Sequence, residues 1–277
     1  MKGLLQSVSL LALGLSLILI LAGGLFNFSA ADAKAGATAS PGSWYRAVFA
    51  LPQPDISAIA ARAQQLGFWI RVQYGPQVAY FHGGELCSEC QPEAEASFLE
   101  FPQLYLDGEL FLARLNEPRY RLIIRPSAEL AGMYELLISP KVELALSELE
   151  SEAYGWLDRL AIQPGSSLSF TELVPQEKPR PPEGVRLDSL LYALVVAPDW
   201  HDFAEARGLE LSGLRIRVIV ELAEPGVVPH PQGYHLWEEA RSGELMRVLV
   251  PVSELLRLAQ DPAVEFVRLP YRPHEAG

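Results

Sequence analysis

The stretch HGGELCSEC holds both cysteines of the chain, Cys87 and Cys90, with His82 five residues before the first. Four chemistries use groups at such spacing. A dithiol oxidoreductase needs a depressed thiol pKa, usually supplied by a helix N-terminus. Here the acidic neighbours Glu85 and Glu89 oppose a thiolate, and Pro92 with Glu-Ala-Glu-Ala follows instead of an apolar helix. Covalent haem attachment needs a histidine directly after the second cysteine, where Gln91 stands. Zinc needs four ligands, and His82, Cys87 and Cys90 supply three, with the fourth unidentified. The fourth chemistry is a local disulfide between Cys87 and Cys90, the default pairing for close cysteines in an exported chain. The sequence favours this last reading, as a staple. Because the closed loop is so small, the bridge should contribute less than the roughly 2–4 kcal/mol of bridges that close longer loops.

The other polar clusters have a structural reading beside the chemical one. In PDWHDF, His201 lies between Trp200 and Asp202, where a carboxylate could tune a general base. The aspartates serve equally well as helix caps, and no nucleophile has a recognisable context. His230 and His235 lie in VVPHPQGYHLW, a Pro/Gly connection with no Cys, Asp or Glu to complete a ligand set. The glutamates of ESEAYGWLDR and ELCSECQPEAEASFLE lack the alternating aspartates of a calcium loop and read as solvated faces. The sequence therefore assigns no catalytic residue, no cofactor and no metal beyond the incomplete His82/Cys87/Cys90 set.

These groups must be positioned by a body that begins after an export segment. Lys2 is the only charge before Asp32, and the intervening run is strongly apolar. This is a signal peptide or signal anchor over residues 1–33, followed by a small-residue spacer over 34–43. The first alternative needs a cut near Ala31–Ala33; the second needs about 20 apolar residues to span the bilayer as a helix. Either way the body is expected outside the cytoplasm, secreted or tethered to the membrane by this segment. The net charge of −12 excludes nucleic acid as an expected partner.

VPQEKPRPPEG, with four prolines, reads as an extended linker over 174–184 between domains at 44–173 and 185–274. Cutting there is expected to release two separately folded pieces. The first domain opens β-α-β-β: a strand from Trp44, a helix carrying Ile56, Ile59, Ala63 and Leu66, then two strands around Gly75-Pro76. Asp107-Gly108 marks a tight hairpin, YRLIIRP adds a strand, and Leu146 to Leu160 aligns an apolar helix face. In the second domain LLYALVVA reads as a buried strand and PDWHDFAEARG as a short helix. LRIRVIVELA, a hairpin around Arg241-Ser242-Gly243, VSELLRLAQD and VEFVRLP follow. The expected class is α+β, with a ferredoxin-like second domain of order β-α-β-β-α-β plus one extra strand.

LMRVLVPVSELLRLAQDPAVEFVRLP, residues 245–270, resembles the final strand–helix–strand of the inhibitor-type prosegments of secreted subtilisin-like proteases and of related modules in bacterial surface proteins. The resemblance implies a domain that assists folding or inhibits a protease by placing its C-terminal tail in the cleft. No protease domain follows it before Gly277, so a separately encoded target would be implied.

Adjacent rings in a strand point to opposite sheet faces, so one ring each of Phe68-Trp69 and Tyr80-Phe81 needs cover from another element or a partner. The sequence thus points to a non-enzymatic, exported protein acting through contact with a protein at or outside the membrane. Trp69, Tyr80, Phe81, Tyr234 and Trp237 are its candidate interface. The rival expectations are the protease inhibitor and a thiol or metal protein working through Cys87 and Cys90.

Overall fold

The computed structural model describes residues 37–51, 53–83, 85–86, 102–174, 179–226 and 234–271. The N-terminal segment expected to direct export, Cys87, Cys90, His230 and the last six residues lie outside them, so the expected N-terminal apolar helix and disulfide fall outside the described residues. Among the described residues, no helix is long and apolar enough to cross a membrane.

The first domain is built on a nine-stranded sheet. Its strands are β2 (Trp44–Ala50), β3 (Trp69–Tyr74), β4 (Gln77–His82), β5 (Glu85–Leu86), β6 (Gln103–Asp107), β7 (Leu110–Asn116), β8 (Tyr120–Pro126), β9 (Met133–Pro140) and β11 (Thr171–Leu173). Their order is β11-β2-β9-β8-β7-β6-β3-β4-β5. Neighbours run antiparallel except β3 and β6. A separate small pair, β1 (Thr38–Ala39) and β10 (Leu144–Ala145), joins the start of the body to the base of a helix. Helices α1 (Ile56–Gln65) and α2 (Leu146–Arg159) cover one sheet face. Asp55 accepts from the Ala58 amide at 2.9 Å to start α1, as its position suggests. Gly108, at φ 59°, makes the expected β6–β7 hairpin without the strain a Cβ would bring.

Period-2 alternation divides this sheet into two unlike faces. Leu104, Leu106, Phe111, Ala113, Leu115, Leu122, Ile124, Leu136 and Ile138 face the helices and form the first core. The alternate positions include Arg71, Gln73, Gln103, Asp107, Arg114, Arg125 and Glu135, and they are also buried. Their cover is the second domain.

That domain contains α3 (Ser189–Val196), α4 (Trp200–Ala206), β12 (Leu211–Ser212), β13 (Arg215–Leu222), β14 (Trp237–Ser242), β15 (Leu245–Pro251), a 3-10 turn at Val252–Glu254, α5 (Leu255–Ala259) and β16 (Val264–Arg268). Its antiparallel sheet runs β12-β13-β15-β14, with β16 on β13. LLYALVVA is not the strand expected from its apolar run; it is helix α3. A run of eight apolar residues fits either state, and the cap decides. Asp188 accepts from the Leu190 amide at 2.8 Å, and Pro198 stands just beyond the last turn. The domain therefore starts α-α rather than β-α, and the expected β-α-β-β-α-β order is not what the chain adopts.

The mixed α+β class holds for both domains. Their cores meet: Tyr105 and Leu112 of the first sheet belong to the second domain's cluster with Leu191, Leu194, Trp200 and Val250. The joint alters the expectation for a cut in the proline linker. A site-specific protease cleaving an engineered site at 179–184 should leave two pieces that co-elute on gel filtration at micromolar concentration. Separation into two peaks under native conditions would show that the joint is too weak to hold them.

Candidate functional site

The joint is built from arginines that sit among apolar neighbours on alternate strand positions. Arg114 on β7 donates to Asp199 Oδ2 at 2.8 Å and to Asp202 Oδ1 at 2.9 Å. Asp199 has a second duty, because its Oδ1 caps α4 by accepting from the His201 and Asp202 amides at 3.0 and 3.2 Å. Arg215 at the start of β13 forms a two-point pair with Asp107, at 2.5 and 3.0 Å, with both side chains almost fully enclosed. Arg125 on β8 pairs with Glu135 at 3.1 Å and also donates to the Ala197 and Pro198 carbonyls, at 2.6 and 3.1 Å. Burial lowers the Arg125 pKa, opposed by the Glu135 carboxylate. Arg71 on β3 completes the set by donating to Ser212 Oγ at 3.1 Å.

Such pairs set geometry more than they add stability. Removing charges from water is costly, and the pairing roughly offsets that cost when every donor is satisfied. The two-point geometry of Arg215 with Asp107 admits one docking orientation of the domains. Close packing enforces the same orientation: a Cβ added at Gly213, whose φ is +64°, would lie 2.2 Å from Arg71 Nη1.

His201, the candidate general base, is part of this joint. It is buried, and its ring stacks on Tyr105 at 4.7 Å. Burial first, then the charges of Arg114 and Arg71, push its pKa well below the ordinary value. The Tyr105 hydroxyl, pushed up to about 12 by burial, donates to Gln103 at 2.8 Å. A neutral histidine sealed in a domain contact has no route to substrate, so the arrangement is structural. Its partner in contrast is His235, which is exposed and bound to the buried Glu254 at 2.6 Å. That hydrogen bond raises the His235 pKa.

The two histidines impose opposite pH dependences. Between its lowered folded pKa and about 6.5, His201 binds a proton only when unfolded, so stability falls as pH drops through that window. His235 binds a proton preferentially when folded, so its contribution is complete below about 6.5 and is lost as pH rises through its raised folded value. His201→Phe should flatten the acid limb of the stability profile by up to about 1.4 kcal/mol per pH unit. Urea unfolding of wild type and variant from pH 4 to 7 checks this; parallel profiles would show that His201 does not titrate differently on unfolding.

The five interface candidates separate into two groups. Phe81 packs against the first core. Tyr234 donates to Asp261 Oδ2 at 3.0 Å, and Trp237 lies under Arg215, whose guanidinium carbon is 3.9 Å from the ring centroid. These three are half-buried and engaged within the chain. Trp69 and Tyr80 lie on the second face of the large sheet, toward its β5 end, beside Arg71. Trp69 stacks on exposed His82 at 4.0 Å, nearly parallel, and Tyr80 lies 5.9 Å from the Arg71 guanidinium. Val78 and Tyr74, farther along the same hairpin, are exposed. The stack places His82 against an indole face. No group of three or more His, Cys, Asp or Glu side chains able to hold a metal occurs among the described residues.

Sequence reading missed the ionic joint. Its signal was present as isolated arginines within apolar strands, Arg114 in LFLARLN and Arg121 and Arg125 in YRLIIRP, but a charge on one face of a strand describes a solvated face equally well. Comparison with protein-family models, with curated proteins and with solved structures finds no match to this chain.

Proposed function

We propose that the protein is an exported, non-enzymatic interaction protein, tethered to the membrane if its apolar N-terminus is retained, which presents the Trp69–His82–Tyr80 ledge to a protein partner. The observation that carries this reading is the uneven cover of the large sheet by the described residues. Bonds from the second domain reach Arg71 on β3, while the aromatic groups on β3 and β4 beside it remain half-buried or exposed. Aromatic side chains of this kind supply binding energy at low entropic cost when a partner encloses them. A photo-crosslinking residue in place of Tyr80 should give one discrete adduct in intact cells, and the same residue at Tyr154 on α2 should not. No adduct at position 80, or the same adducts at both positions, would refute the ledge as an interface.

A second reading rests on the segment that resembles protease prosegments. Residues 245–268 form strand β15, helix α5 and strand β16, and the four long strands lie in the order β16-β13-β15-β14. That order is the one a ferredoxin-like domain would have, which supports a distant kinship even though α3 and α4 precede the sheet. Slowed hydrolysis by secreted subtilisins at micromolar concentrations of the full chain would favour the inhibitor; unchanged rates would remove it.

The cysteine staple remains part of this proposal. Cys87 and Cys90 are expected to be bonded to each other, because close thiols in an oxidising compartment meet at high effective concentration. Thiol labelling of denatured, unreduced protein should find no free thiol. Two free thiols, or one tightly bound metal ion, would instead favour the thiol or metal reading.

A further inference from the structure

We infer that the cleft between the β11–β2 end of the large sheet and helix α3 binds a single-chain amphiphile with an anionic head. The cleft has a volume of about 820 Å³. That is within the range of roughly 300–1,000 Å³ usual for small-molecule sites. This site is separate from the aromatic ledge and independent of the interaction reading.

Two features of the walls define the ligand. The first is helix α3, whose eight residues SLLYALVV carry no charge. Leu191, Leu194 and Val195 are buried in the second core, whereas Leu190, Ala193 and Val196 on the other side line the cleft. A helix apolar all round is normally covered all round. Phe203 of α4 and Trp44 of β2 extend the apolar wall.

The second feature is charge. Arg46, Arg125, Arg180 and Arg207 line the cleft against only Glu129 and Glu135. The whole chain has the opposite balance, 34 carboxylates to 22 lysines and arginines. Glu135 is taken by Arg125 at 3.1 Å, and Glu129 by Arg46 at 3.1 Å. Arg180 and Arg207 make no ion pair with a carboxylate among the described residues. Guanidinium groups suit carboxylate and phosphate heads equally. The net charge of −12 repels a strongly acidic polymer, so an apolar chain bearing one anionic head is the better complement.

Titration calorimetry of the full-length chain with decanoate, decyl phosphate and uncharged decanol tests this. The two anions should bind saturably at one site, at least ten-fold more tightly than decanol. A stronger response to decanoate would identify a fatty-acid source and to decyl phosphate a phospholipid source. Arg180→Ala with Arg207→Ala should remove the preference for the anions. Ala193→Trp should fill the cleft and abolish binding of all three, and Leu190→Glu, at a half-exposed position, should selectively repel the anions. The inference fails if binding is not saturable, if decanol binds as tightly, or if binding survives both α3 substitutions in folded protein, which would place the amphiphile elsewhere.

Discussion

Replacing Asp107 by leucine is expected to destabilise the whole protein by about 3–5 kcal/mol, the usual cost of leaving one buried charge without its partner. Asp107 and Arg215 are 3% and 2% exposed, so neither can recover solvation without opening the joint. The Arg215 guanidinium has other contacts, the Leu249 and His235 carbonyls and the Trp237 ring, but no other carboxylate among the described residues pairs with it. Arg215→Met should cost a similar amount for the mirror-image reason. The double variant should recover most of the loss, since an apolar pair of similar volume avoids both desolvation penalties. Urea unfolding of the four proteins gives the coupling energy directly. Single variants that lose less than about 1 kcal/mol, or a double variant that is simply additive, would show that the pair does not act as a unit.

The second large effect is expected at Trp200. Its side chain is 2% exposed, its Nε1 donates to the Val195 carbonyl at 3.2 Å, and the Arg125 guanidinium carbon lies 4.5 Å from the ring centroid. Trp200→Ala removes the largest apolar surface at the end of α3 and uncovers the Arg125–Glu135 pair, so a loss of about 3–5 kcal/mol is expected. The distinctive consequence is its reach. Hydrogen exchange should accelerate in β8 and β9 of the first domain as well as in α3 and α4. Acceleration confined to the second domain would mean that Arg125 and Glu135 hold their places without the ring, and the two domains would then be energetically separate.

Local features were legible wherever one short stretch decides the conformation. Asp55 and Gly67 bound α1, Asp107-Gly108 turns the β6–β7 hairpin, and Asp199 caps α4. The face of α2 that carries Leu149, Ala153, Trp156 and Leu157 is the buried one. Each of these depends on residues within a few positions, where capping geometry, positive φ or helical period leaves little choice. The same local logic failed at LLYALVVA, because an apolar run without polar alternation has no period to read.

The apolar N-terminal run, the acidic charge and the α+β character came from composition and short-range pattern, and these the sequence determined by itself. The tertiary structure alone decided which charged residues are solvated and which are sealed. Arg215 finds Asp107 across 108 residues, and Arg114 finds Asp199 across 85. Strand alternation puts Asp107 and Arg114 on one face of the large sheet, but a face that meets water and one that meets another domain carry the same period. The difference arises only when α4 and the β12–β13 turn dock on the sheet, because burial depends on neighbours distant in sequence. For the same reason Trp69 and Tyr80 could be separated from Tyr234 and Trp237 only once the extent of that cover was known.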